Sequence, residues 1–464
     1  MIWQALSPTS NAVYNVDNKI IMVLTDILEE HLSEASFLYE QRLGLLNDLE
    51  LTWKEIGDFE ERFEAHIDGL VVGGNSALDV CKQQATEGDF GELHAAMRVF
   101  CRQNRLDLAL QSIEAIDTDD AERMQAVCDA LKDELPQGWQ NHFIELLNEG
   151  NPKWVSVIPQ LIGYQRLNVG VKLLQALQEN HTRGSLVPVI SALGRLREQQ
   201  AREPLLNIFQ RHEDETIRAA TALTLLRLGD PKIIEASFDF AHTQNWPLIS
   251  LGLGGGRSAV PRLCDLASSE PSADGLMALG LLGDLSAVDL LLANMANTKL
   301  AEAAARAFNL ITGAEIDETV FIPEEINEDE LFEEELEKMK RGEPLYPPGH
   351  EPGVHLTRLS QKHADWQNWW GQNKSRFNPQ IRYRSGKPYS PAILLENLES
   401  EKNPRQVRQW AYEELVIRYG VDFPFETDMP VEKQKQAMKQ YAEWIANNSR
   451  FREGQWYFGK IMAS

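Results

Sequence analysis

The sequence predicts an all-α protein, a solenoid of stacked helix pairs with a helical hairpin ahead of it and a helical region behind. Three observations carry that prediction. Apolar residues recur at helical spacing through almost everything up to residue 313. A short helix–turn–helix unit returns about every 26–32 residues. The turn inside that unit repeats the same chemistry.

The hairpin is expected over 1–74. Ile56, Phe59, Phe63, Ile67 and Leu70 fall on one helical face. Thr52 and Glu55, just ahead, have capping-box spacing, in which a hydroxyl and a carboxylate satisfy free backbone N–H groups. The preceding segment, IIMVLTDILEEHLSEASFLYEQRLGLLNDL, also has helical period and is long enough to pair with that helix.

The solenoid is expected over 75–313. Its clearest copies begin at Gly163, Gly194, Leu226, Leu253 and Leu279. Ser258-Ala259-Val260 and Ser286-Ala287-Val288 repeat 28 residues apart. In LRLGDPKII, Gly229 can take the left-handed conformation that ends one helix, Asp230 can cap the next, and Pro231 suits its first turn. Leu253-Gly254-Gly255-Gly256-Arg257 lacks the phosphate-loop pattern and fits a tight turn between repeat helices.

After Gly313 the composition shifts. An acidic, partly helical connector is expected over 314–360, with 13 acids against 3 bases between Glu315 and Glu343. A Trp-rich helical region with little or no sheet follows over 361–464. Within it, the stretch from Trp366 to Leu395 has no acidic residue. Trp366, Trp369 and Trp370 lie at i, i+3 and i+4, on one helical face, and such indole clusters are most often core or interface anchors. Arg382, Tyr383 and Arg384 belong to a turn around Ser385-Gly386, and the arginines are placed to pair with the acidic connector. These six residues are the candidate clasp or partner-binding positions. Burial against the C-terminal helices is the favoured reading of the indoles, with a partner-binding face and base stacking as alternatives.

Composition narrows the function. The formal net charge of -25 opposes nonspecific nucleic-acid binding by the whole molecule and favours basic protein partners. Cys81, Cys101, Cys128 and Cys264 are scattered on apolar helix faces, which suits buried thiols in a reducing compartment. No run approaches the roughly 18 apolar residues of a membrane span, and the N-terminus has no signal-peptide pattern, so a cytoplasmic protein is expected. His350, His355 and His363 have no common metal-ligand spacing, and there is no GxSxG or activated cysteine. No catalytic residue, cofactor or metal is therefore assigned.

The stretches ILEEHLSEASFLYEQR, FEERFEAHIDGLVVGG, LGLLGDLSAVDLLLANM, AEAAARAFNLITGAEID, DWQNWW…RFNPQIRYRSGKPY and NPRQVRQWAYEEL occur in order along nearly the whole chain. Together they resemble an uncharacterised proteobacterial family of HEAT-repeat proteins, often encoded near type VI secretion genes. That resemblance implies a HEAT-like α-solenoid and no catalytic activity. With its gene context, the leading expectation is a non-enzymatic protein that docks another protein, possibly a basic secreted effector or spike component, as adaptor, chaperone or immunity protein. The charge and the lack of an apolar run leave no nucleic-acid or membrane partner expected. A HEAT-like enzyme of the lyase or DNA-glycosylase kind and a self-assembling scaffold are the alternatives.

Overall fold

The computed structural model describes residues 11–48, 51–117, 119–147, 152–179, 182–244, 246–324, 331–346 and 352–463. The chain divides into two compact units, residues 1–240 with 391–452 and 457–462, and residues 241–390 with 453–456 and 463–464. The stretches read from sequence as one solenoid and as one Trp-rich region are both divided between these units. The fold is all-α, as the helical periodicity predicts. No described helix is long and apolar enough to cross a membrane.

Unit 1 opens with α1 (Asn11–Leu45) and α2 (Ile56–Val72), the expected hairpin. Leu28, Leu32, Ala35 and Leu38 of α1 are buried, as are Ile56, Phe63, Ile67 and Leu70 of α2. Glu55 accepts a 2.7 Å hydrogen bond from the Thr52 N–H, although the helix itself starts only at Ile56. Next come α3 (Gly74–Glu87), α4 (Phe90–Arg102), α5 (Leu106–Ala115), α6 (Ala121–Glu134), α7 (Gln140–Leu146), α8 (Pro152–Gln165), α9 (Gly170–Glu179), α10 (Arg183–Arg195), α11 (Arg202–Arg211), α12 (Glu215–Arg227) and α13 (Lys232–Phe240). Alternate helices stack in a row, α4 on α6, α6 on α8, α8 on α10 and α10 on α12. The intervening short helices cover the other side of that row, so each repeat buries its apolar face only against its neighbours.

The repeat turn works as the sequence predicts. Gly229 has φ +72, and the Asp230 carboxylate accepts from the Lys232 N–H at 3.0 Å and from Arg202 at 3.2 Å. Gly283 (φ +69) and Asp284 repeat it, with Asp284 accepting from the Ser286 N–H at 2.9 Å. Cys81, Cys101 and Cys128 are buried and Cys264 half-buried. Burial pushes the thiols of Cys81 and Cys101 up to about 12, and those of Cys128 and Cys264 up to about 11, so none is poised as a thiolate.

Unit 2 continues the pattern with α14 (Trp246–Gly254), α15 (Ala259–Ser269), α16 (Ala273–Leu282), α17 (Val288–Asn294) and α18 (Ala301–Thr312). Here α14 stacks on α16 and α16 on α18, and close approach is possible because glycine faces alanine. A Cβ built on Gly252 would lie 2.8 Å from the Ala278 Cα, and one on Gly280 would lie 2.7 Å from the Ala307 Cα. Backbone atoms cannot retreat as a side chain can. Gly280→Val is therefore expected to destabilise the protein by about 1–3 kcal/mol through overpacking, read as a lowered denaturation midpoint. An unchanged midpoint would show that α16 and α18 are not held this close.

The connector departs from the sequence reading. Besides the short helix α19 (Glu333–Lys340), it holds an antiparallel ribbon of β1 (Asp317–Pro323) and β2 (Gly353–Leu359), in register from Asp317 opposite Leu359 to Pro323 opposite Gly353. Glu318 and Arg358 stand opposite each other and pair at 3.2 Å. Beyond the ribbon come α20 (His363–Asn373) and a two-residue-stranded hairpin, β3 (Tyr383–Arg384) with β4 (Lys387–Pro388).

The chain then rejoins unit 1 as α21 (Pro391–Glu399), α22 (Arg405–Tyr419) and α23 (Val431–Ala446), closing with the small hairpin β5 (Tyr457–Phe458) and β6 (Ile461–Met462). This C-terminal arm lies against the repeats of its own unit, with α22 on α12 and α23 on α2.

Candidate functional site

All six sequence-predicted positions lie in unit 2. Trp366 is fully buried and donates its indole N–H to the Ser360 carbonyl at 2.7 Å. Trp369 and Trp370 are half-buried. All three rings meet Phe308 of α18 edge-on, with centroids 5.4, 6.0 and 5.9 Å away, so the stripe seals the last repeat helix.

Arg382 and Arg384 are fully buried, and Tyr383 nearly so. Arg382 donates from Nε to the Leu282 carbonyl at 2.9 Å and from Nη2 to the Leu281 carbonyl at 2.6 Å. Its guanidinium also sits 3.4 Å from the centre of the Tyr389 ring. A cation at the C-terminal end of α16 satisfies carbonyls that have no partner within the helix, and it meets the negative end of the helix dipole. Arg382 thus caps a helix of its own unit. The backbone completes the closure, as Tyr383 N–H donates to the Gly283 carbonyl at 2.9 Å and Ser385 N–H to the Leu310 carbonyl at 2.6 Å. Neither arginine is placed to meet a nucleic-acid phosphate. Of the expected histidines, His355 lies on β2, His363 opens α20, and His350 falls outside the described residues.

The functional geometry lies in unit 1, where one face of the repeats is a ladder of arginines. Each rung stands at or just after the C-terminal end of a stacked helix, Arg166 after α8, Arg195 ending α10 and Arg197 just beyond it, and Arg227 ending α12. The chain's own C-terminal arm occupies it. Arg227 grips the Glu413 carboxylate with both Nε, at 2.8 Å, and Nη2, and both residues are about 5 % exposed or less. Arg166 reaches the Tyr412 hydroxyl at 2.7 Å and Asp422 at 3.2 Å. Arg195 pairs with Glu426 at 2.8 Å, and Arg197 donates to the Gly420 carbonyl at 2.7 Å. Arg408 of α22 has no carboxylate beside it. It stacks 4.1 Å over the Trp53 ring and donates to the Leu398 carbonyl and to Gln434, and burial together with Arg405 pulls its guanidinium down to about 9.

The arm stops short of covering the first repeats, and a cleft of about 770 Å³ opens among α1, α2, α4, α6 and the start of α23. Ten acidic and seven basic side chains line it. Its inner wall is aromatic. Tyr39 and His94 stack at 3.7 Å between ring centres, and Phe63 lies 5.4 Å from His94. Burial, reinforced by Arg98, holds His94 well below the ordinary histidine range, so the ring is neutral; its Nδ1 has no hydrogen-bond partner among the described residues. The Tyr39 hydroxyl donates to Asp129 at 3.0 Å.

Cross-links fix the walls. Arg98 joins Glu64 at 2.6 Å and Glu134 at 2.8 Å, and Arg102 joins Glu64, Asp68 and Glu134. From the arm side, Lys433 pairs with Asp133 at 3.0 Å, and Glu60 accepts from the Val431 N–H at 2.7 Å, capping α23 from a different helix. Burial opposes ionisation of Asp133, but Lys433, Arg98 and Arg42 outweigh it and hold that carboxyl below its usual range. Burial pushes Glu60 the other way, up, against the pull of Arg42. The inner acids are thus engaged with bases of the cleft itself, while Asp58 and Glu61 stand exposed at its edge, beside an equally exposed Asp68 that Arg102 holds.

Sequence reasoning missed both features. The ladder did leave a trace, since Arg166, Arg195 and Arg227 recur at the repeat spacing beside the turns. The cleft left none, because its walls come from residues separated by up to about 400 positions. Compared with protein-family models, with curated proteins and with solved structures, the chain matches none.

Proposed function

We propose that the chain is a non-enzymatic protein-binding helical-repeat protein whose unit 1 cleft takes an extended basic segment of a partner. The observation that carries this reading is the cleft itself, about 770 Å³ with an aromatic inner wall and an excess of acids. Aromatic walls take the apolar stems of lysine and arginine or an interleaved apolar side chain, and the edge acids meet the charged heads. The arm occupies the arginine ladder beside the cleft, which leaves the cleft to a partner. The net charge of -25 speeds encounter with a basic protein and makes it salt-sensitive. Through the family resemblance, the candidate partner is a secreted effector or a spike component of type VI secretion, bound in the cytoplasm. Adaptor and immunity roles differ in whether the bound region is the partner's catalytic one.

The test uses a fluorescent peptide alternating arginine with leucine, and in parallel the products of neighbouring genes, at low salt. The peptide is expected to raise anisotropy with the full chain. Glu61→Lys combined with Asp68→Lys is expected to weaken it at least tenfold, and a matched acidic peptide is expected not to bind. Equal binding of both peptides, or an unaffected double variant, would overturn the cleft as the site.

A further inference from the structure

We propose that His31 of α1 and His66 of α2 form a binding site for a borderline divalent transition-metal ion such as Zn²⁺, at the side of the N-terminal hairpin. The site is separate from the cleft, which neither histidine lines.

The two Nδ1 atoms lie 3.0 Å apart, with ring centres at 5.2 Å and planes at 66°. Two neutral imidazoles facing each other through Nδ1 hold two lone pairs and at most one proton usefully between them. A divalent ion in that position serves both lone pairs at once. With metal–nitrogen bonds of about 2.0–2.1 Å, two nitrogens of a tetrahedral ion stand about 3.3–3.4 Å apart, so the rings need separate by only a few tenths of an ångström. Imidazole pairs suit zinc, copper and nickel rather than magnesium or calcium.

The rings are held in place. His31 stands on α1 between the buried Leu28 and Leu32, and His66 stands beside the buried Ile67 on α2. Gly69 makes room, because a Cβ there would lie 3.0 Å from the Cε1 and Nε2 atoms of His31. Both histidines are half-buried, so an ion has access from solvent. Burial, and next the His31 ring, hold His66 below the ordinary histidine range. Of the charged groups around His66, Glu34 and Glu30 on α1 favour a cation, while Arg62 on α2 opposes it. Among the described residues no group of three or more histidine, cysteine, aspartate or glutamate side chains is arranged to hold an ion. The site is accordingly an open one, two imidazoles with solvent completing the coordination.

When both rings are neutral, the ion displaces the shared proton, which returns from solvent to the Nε2 of the same ring, and no net proton is released.

Zinc chloride is titrated into the full chain at neutral pH against a chromophoric chelator. The chain is expected to take one equivalent, and His31→Asn and His66→Asn are each expected to weaken it at least tenfold. His355→Asn, which removes a histidine of the ribbon, is expected to leave it unchanged. A second measurement needs no variant: zinc is expected to move the side-chain ¹⁵N resonances of two histidines and no others. Uptake that survives His66→Asn, a resonance shift spread over other histidines, or no uptake at all would each overturn the site.

Discussion

Arg227→Met is expected to destabilise unit 1 by about 3–5 kcal/mol, because it leaves the buried Glu413 carboxylate without its cation. Glu413→Leu is expected to cost a similar amount from the other side. The double variant is expected to recover much of either loss, since removing both charges also removes both desolvation penalties. At roughly 2–4 °C per kcal/mol, each single variant should melt about 6–20 °C below the wild type. Additive losses in the double variant would show that the two side chains do not depend on each other. The effect is large for a physical reason. Both groups are interior, they meet in a two-pronged geometry, and Gln409 adds a 3.1 Å hydrogen bond to the same carboxylate.

The second large effect is expected at Trp366. Trp366→Ala removes a fully buried indole and leaves the Ser360 carbonyl without its 2.7 Å donor. Loss of a buried tryptophan costs about 3–5 kcal/mol. Trp369→Ala and Trp370→Ala should cost less, because both rings are half-buried. Trp366→Phe separates the two contributions, keeping most of the apolar contact with Phe308 while losing the hydrogen bond. Thermal denaturation of the three alanine variants orders them directly. Equal melting for all three would contradict the packing of α20 on α18.

These two sites also show what a sequence yields and what it conceals. The helices were legible because each repeat must bury one face, which writes a 3.6-residue period into the chain. The repeat turn was legible at Gly229-Asp230 because a positive φ and a side-chain cap each demand a narrow choice of residue. Tryptophans 366, 369 and 370 could be placed on one helical face, although not against Phe308, since that partner lies about sixty residues upstream.

Arg382 shows the limit more sharply. An arginine following a run of acids invites an ion pair, and nothing in that run points to the carbonyls at the end of α16 that Arg382 caps. Local charge composition says nothing about which helix end a side chain will reach. The ribbon β1–β2 was missed for a related reason, as its strands are separated by 29 residues and neither has clean alternation. The cleft depends wholly on tertiary folding. It exists because α23 comes back to meet α2, a closure no single stretch of sequence encodes.

Docking of the C-terminal arm on the arginine ladder links all of this, since it fills one part of the repeat face and frames the cleft with Lys433 and Val431. Amide hydrogen exchange in α22 tests it most directly. If the arm is docked, the amides of α22 will exchange as slowly as those of α10 and α12, and Arg227→Met will speed exchange in α22 more than in α8. Fast exchange throughout α22 in the unmodified chain, with α10 and α12 still protected, would contradict it.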